Sequence, residues 1–294
     1  MSTPDAGQAM ETLASRGAPL PYRRYGAGPG LVIVHGMMQT GGDQSDLARR
    51  LAADHAVYLY DRAGFASRRS QPFADGLSGE AADLMRLLEA TGARRIMGVS
   101  VGGLVCRQAM KDGAGIDAAI IFEPPLPVDG SLSVDWVPTL KAQLARDDRI
   151  GAMVSAMVGA QMGPPFLAKL PPWLLRLMTR LSVAFGGEKG AAPFVDLAPT
   201  LAHDTDLVIE AMAAPAHQPC QITSLLLGTT GSPEYFRKAL THLETELPNA
   251  RRVTIEGKDH QVTSNEDRGG DPACVAGIVA RYLSDCVPRT EDNG

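Results

Sequence analysis

Six consecutive residues constrain this chain more than any others: Gly98-Val99-Ser100-Val101-Gly102-Gly103. They fit the pattern G-x-S-x-G and stand between an apolar strand pattern, Ile96-Met97-Gly98-Val99, and a helix pattern over 101–111. Glycines on both sides of the serine allow a sharp, strained turn that lifts the hydroxyl clear of the strand ends. They also let the following backbone N–H groups approach a substrate. The pattern is short enough to occur by chance, so its setting carries the argument. Between a strand and a helix Ser100 reads as a nucleophile, where in isolation it would only cap its helix.

The rest of the chain supplies the sheet that such a turn needs. Gly30-Leu31-Val32-Ile33-Val34 reads as a strand buried on both faces. A helical stretch over 43–53 follows, then a strand at 56–60 ending before Asp61. Leu84, Leu87 and Leu88 recur at helical spacing over 78–91, with Ser78 placed as the cap and Glu80 in the first turn. Strands are predicted at 96–99 and 118–122 with a helix between them. This alternation argues for parallel βαβ units and a doubly wound, mostly parallel α/β sheet.

The alternation stops at Pro124. Up to residue 219 no run resembles a sheet strand; helices are expected around 138–145, 150–161, 172–181 and 206–213, separated by Gly- and Pro-rich breaks. This stretch holds both tryptophans, Trp136 and Trp173, and five of the twelve methionines: Met153, Met157, Met162, Met178 and Met212. It reads either as a helical subdomain packed on the core or as a lid whose thioethers and aromatic faces line an apolar substrate cavity. The sheet pattern resumes at 222–227, followed by a helix over 233–247, a strand at 252–256 and a last helix over 271–284. The expected division is a core of 18–123 and 220–285, a helical cap of 124–219, and flexible termini at 1–17 and 286–294. No internal repeat is visible.

A serine nucleophile needs a base. Of six histidines, His260 follows the last strand in Glu256-Gly257-Lys258-Asp259-His260 and comes last in chain order, as the order Ser, acid, His requires. His55 and His242 read as surface residues, and His203 and His217 as lid residues that face solvent or touch substrate. His35 reads as structural, bonding backbone in its own turn. Asp61 and Arg62 read as a pair bracing their loop.

The combination of His35-Gly36 after the first core strand, Asp61-Arg62-Ala63-Gly64-Phe65-Ala66-Ser67 after the next, the turn around Ser100 and the loop of His260 resembles the α/β-hydrolase fold family. It spans about 18–283, and 124–219 falls where members carry a cap. The family implies backbone oxyanion donors at Met37 and Val101, with Met38 beside them in the pocket wall. Its commonest pattern also implies an Asp past the strand ending at Gly228. Here that turn, Gly228-Thr229-Thr230-Gly231-Ser232-Pro233-Glu234, contains none. In some members, including haloalkane dehalogenases and zearalenone-lactonase-like enzymes, the acid follows the strand after the elbow helix. That site here holds Glu123, 23 residues after Ser100. A carboxylate there can orient the His260 ring through Nδ1–H, and between Phe122 and two prolines it would be costly to bury unpaired. Glu234, Asp259 and Asp129 remain open as alternatives.

Composition excludes several partners. With 33 acids against 28 bases, a net charge of −5 and no long Lys/Arg run, nucleic acid is not an expected partner. The N-terminal region lacks an apolar signal segment and no stretch of 18 apolar residues occurs, so a cytoplasmic protein that does not span a membrane is expected. Cys106, Cys220, Cys274 and Cys286 match neither a metal pattern nor a disulfide framework. The expectation is therefore a serine hydrolase, esterase or lactonase in type, cleaving a small apolar ester without metal or organic cofactor. Met38, Trp136, Met157 and Trp173 are expected to bind substrate, and a homodimer is a possible assembly. Two rival readings stay open: C–C, thioester or non-hydrolytic chemistry in a biosynthetic pathway, and a small-molecule receptor on the same fold.

Overall fold

The structure, a computed structural model, describes residues 9–13, 17–163, 166–185, 193–213 and 220–286. Short apolar runs at 31–34, 56–60, 96–99, 118–122 and 224–229, buried on both faces, form the centre of the sheet, and the strands outside them are partly exposed. Strands β3 (Gly30–Val34), β4 (Ala56–Tyr60), β5 (Arg95–Val99), β6 (Ala118–Phe122), β7 (Thr223–Thr229) and β8 (Ala250–Ile255) run parallel. Two further strands, β1 (Met10–Leu13) and β2 (Leu20–Tyr25), add antiparallel to the β4 edge. The order is β1-β2-β4-β3-β5-β6-β7-β8. An ordered strand at Met10–Leu13 thus lies inside the segment expected to be a flexible terminus.

Alternation along each strand divides the core into two layers. Val32, Val34, Ile96, Ala119 and Ile121 face α2 (Gly76–Thr91), α3 (Val101–Lys111) and α9 (Glu234–Glu246). Leu31, Ile33, Met97, Ile120 and Phe122 face α1 (Ser45–Leu51) and α10 (Pro272–Asp285). Helix α2 begins two residues earlier than Ser78 implies, at a left-handed Gly76 (φ 63°). Its free end is capped from a distant element: the Leu77 N–H donates to the Glu210 carboxylate at 2.9 Å.

Between β6 and β7 the chain forms α4 (Val137–Leu144), α5 (Arg149–Gly159), α6 (Pro172–Phe185), α7 (Phe194–Leu197) and α8 (Thr200–Ala213). Leu140, Ala152, Ala156, Ala198 and Leu201 bury against one another, with Met37, Met38 and Trp136 packed beside them. A buried ionic cluster ties this insertion to the sheet. The Arg62 guanidinium pairs with Asp204 of α8, and His203 bonds Glu80 of α2 at 2.8 Å. Arg62 therefore braces the insertion and not Asp61, which instead accepts from Gly41 N, Ser67 N and Ser67 Oγ. His55, read from sequence as a surface residue, is buried, and His203 is partly buried against Glu80; His217 lies outside the described residues.

Candidate active site

The turn between β5 and α3 places Ser100 at φ 53° and ψ −121°, a conformation that side chains rarely adopt. Backbone bonds fix it: Ser100 N donates to Phe122 O at 2.9 Å and Gly103 N to Ser100 O at 2.7 Å. The glycines are required by space. A Cβ on Gly102 would lie 2.2 Å from Val34 O, and one on Gly98 2.5 Å from Gly102 O. As the first residue of α3, Val101 has an N–H with no intrahelical acceptor.

Glu123 directly follows β6, at φ 39° and 1% exposed. Its Oε2 accepts from His260 Nδ1 at 2.7 Å and from Ser232 Oγ at 2.7 Å. Its Oε1 accepts from Thr229 N at 2.7 Å and Thr229 Oγ1 at 2.8 Å. Burial raises the carboxyl's pKa, but the His260 ring and the Ser232 and Thr229 hydroxyls outweigh burial and hold it below the ordinary carboxylate range. The residue is therefore held as an anion, and among the described residues no Lys or Arg forms an ion pair with it.

His260 opens a 3₁₀ turn after β8 whose N-terminus is capped by Asp259, the side chain of which accepts from Gln261 N at 2.9 Å. The imidazole lies between two rings, Phe236 at 4.5 Å and 11° and Phe122 at 5.4 Å and 29°. With Nδ1 bound to Glu123, Nε2 is the nitrogen left for proton exchange. Asp259 and Glu234, weighed as alternative acids, occupy capping and first-turn positions, and Asp129 sits in a left-handed turn.

Ser100, Val101 and His260 line one cavity of about 270 Å³ together with Met37, Met38, Trp136 and Met157. Met153, Met162, Phe194 and Phe236 extend its apolar wall. The polar side chains among them are largely engaged elsewhere. Thr179 Oγ1 donates to Leu175 O at 2.9 Å, Thr205 Oγ1 to Ala202 O at 2.9 Å, and Tyr235 Oη to Ala160 O at 3.2 Å. Trp173 is not part of the wall; it is 67% exposed. Met178 and Met212 also face outward, so the aromatic and thioether residues of the insertion divide between cavity and surface.

The loop carrying Met37 is braced by the loop that follows His260. Gly36 N donates to Gln39 Oε1 at 2.9 Å, and Gln39 Nε2 to Ser264 Oγ at 3.1 Å. Arg268 pairs with Asp43 at 3.2 Å, and its Nη1 donates to Met38 O at 3.4 Å. His35 lies beneath, its Nδ1 on Gly36 O at 3.0 Å and its Nε2 accepting from Arg62 N at 3.2 Å. Burial, with the Arg62 charge, pushes its pKa down to about 4, so it is neutral.

Sequence reasoning missed Thr229, Ser232, Gln39, Ser264 and Arg268. For the first two a signal existed: the turn without the usual Asp carries hydroxyls at Thr229, Thr230 and Ser232, which are suited to receive a carboxylate from elsewhere. Among the described residues no group of three or more His, Cys, Asp or Glu is arranged to hold a metal ion. None of their helices is long and apolar enough to cross a membrane.

Residues 31–272 match the profile of the alpha/beta hydrolase family. An alpha/beta hydrolase from Sphaerobacter thermophilus is similar in structure at a TM-score of 0.72, with 27% identity over 93% of this chain and 100% of that one. An esterase from Thermogutta terrifontis (TM-score 0.65, 16% identity, 95% and 98% covered) and epoxide hydrolase A from Mycobacterium thermoresistibile (0.62, 16%, 94% and 98%) share the fold. In sequence, 289 residues are 26% identical to part of the polyketide synthase ThaQ of Burkholderia thailandensis; the match takes in 95% of this chain but only 13% of the synthase.

Proposed function

The chain belongs to the alpha/beta hydrolase family, and from that premise we propose that it is a serine hydrolase acting on an apolar carboxylic ester or lactone. The observation that carries the proposal is the bond between the buried Glu123 and His260 at the edge of the cavity that Ser100 lines. In this reading His260 Nε2 takes the Ser100 proton as Oγ attacks the carbonyl carbon. Glu123 holds the ring and stabilises the imidazolium. The Met37 and Val101 N–H groups receive the oxyanion, each such donor contributing about 2.7–4 kcal/mol in comparable sites. Collapse of the tetrahedral adduct breaks the bond to the leaving oxygen, which takes the proton from His260. Water then releases the acyl group by the same steps.

The apolar wall and the engaged hydroxyls support a substrate with a hydrocarbon acyl part: a polar group placed there would lose water without gaining a partner. The helical insertion, as a cap, closes the cavity over Ser100. The decisive experiment is a screen of ester and lactone panels with Ser100→Ala as control. Hydrolysis that persists in Ser100→Ala contradicts the proposal.

The likeness to a segment of a polyketide synthase favours one variant of the same chemistry, an acyl group presented as a thioester. Comparing kcat/KM for matched oxyesters and N-acetylcysteamine thioesters separates the two.

A further inference from the structure

Helix α6 turns an apolar side to solvent that the packing of the insertion does not use. Of the eleven large apolar side chains exposed among the described residues, six lie on it: Trp173, Leu177, Met178, Leu181, Val183 and Phe185. At about 100° per residue, Trp173, Leu177 and Leu181 form one stripe, while Leu175 and Thr179 point the opposite way. That opposite side is buried: Leu175 is 4% exposed and Thr179 lines the cavity beside Ser100. A helix apolar on both sides calls for a second apolar surface against the outer one.

Charge selects what that surface is. Across 166–185, Lys169, Arg176 and Arg180 are the charged residues and no acid occurs, in a chain whose net charge is −5. Arg176 is held by Asp148, whereas Lys169 and Arg180 form no ion pair with described residues. A second copy meeting this stripe across a two-fold axis would bring like charges together. A layer of anionic headgroups takes both cations while its acyl region takes Trp173, Leu177 and Leu181.

We propose that α6 docks flat on an anionic phospholipid bilayer. The helix that lies on the lipid is then also a wall of the substrate cavity, so an apolar substrate dissolved in the bilayer is concentrated one helix away from Ser100. Docking does not depend on the hydrolase reading and is tested apart from it.

The test is co-sedimentation of the full chain with phosphatidylglycerol and phosphatidylcholine vesicles. Wild type is expected to sediment with phosphatidylglycerol at least tenfold more tightly than with phosphatidylcholine. Leu177→Asp with Leu181→Asp should weaken binding at least tenfold, with an unchanged thermal midpoint because both side chains are half exposed. Lys169→Glu with Arg180→Glu should remove the preference for the anionic lipid. As a measurement that leaves the face intact, Trp136→Phe isolates Trp173, whose emission should move to the blue on phosphatidylglycerol vesicles. Failure of wild type to sediment with phosphatidylglycerol, or equal binding by the Leu177→Asp, Leu181→Asp protein, overturns the proposal. A dimer that dissociates in that variant and ignores vesicles makes the face a self-contact and overturns it as well.

Discussion

At the scale of single residues, the site rests on a buried carboxylate stabilised by the His260 ring together with hydroxyl and backbone donors. Four donors converge on Glu123, from His260, Ser232 and twice from Thr229. Glu123→Gln keeps the shape but presents an amide to His260; kcat is expected to fall by about 10³–10⁴-fold with KM nearly constant, read from steady-state kinetics. Ser232→Ala removes one bond to a charged group and should lower stability by about 1.5–3 kcal/mol in urea titration. Because the folded pKa of Glu123 is depressed, its contribution is fully present above the ordinary carboxylate pKa and is lost only as pH falls through the lower folded value. His35 works on stability at a higher pH. Its folded pKa is pushed down from 6.5 to about 4, so the unfolded chain takes up a proton that the folded chain refuses. Stability should fall by about 3 kcal/mol between pH 6.5 and pH 4. His35→Asn should be weaker at pH 7 and show a flatter pH profile in the same titration.

At the scale of elements, legibility followed locality. The strand, turn and helix around Ser100 are specified by consecutive residues, and the structure places them there because no side chain fits at Gly98 or Gly102. Gly102→Ala should therefore collapse the turn, with activity lost and a thermal midpoint several degrees lower, since its Cβ meets Val34 O. Strands β1 and β2 escaped the sequence reading because they form the antiparallel end of the sheet, β1 as its edge and β2 beside it, where little of either strand is buried. Met10, Glu11 and Thr12 are exposed and β2 buries only Leu20 and Tyr25 at its ends, so no apolar run marks either. Helix α2 was misplaced by two residues for a related reason: Ser78 supplied a local cap signal, but the working cap is Glu210 of α8, far along the chain. Glu210→Ala should cost about 0.5–2 kcal/mol, measured by urea unfolding.

At the scale of the whole molecule, the fold sets two loops and an insertion around one turn. Parallel strands bring Ser100, Glu123 and His260 to the same sheet edge, which is why three residues spread over 160 positions were readable as a set once the strand order was expected. The partners of the insertion were not readable in that way. Arg62 and Asp204 lie 142 residues apart, and nothing local says that their charges meet at zero exposure. Trp173 and Trp136 likewise share a composition signal, yet one lies on the surface and the other in the cavity wall. Arg62→Met leaves Asp204 and Glu80 buried without their cation and should destabilise the fold by about 3–5 kcal/mol; adding Asp204→Leu should restore part of that in the same denaturation assay.

The nucleophilic role of Ser100 is tested by mass spectrometry of the protein after reaction with an alkyl organophosphonate. One covalent adduct per chain is expected, located on Ser100, slowed strongly in Glu123→Gln and absent in Ser100→Ala. A protein that hydrolyses esters yet shows no adduct, or carries it on another residue, would contradict that role.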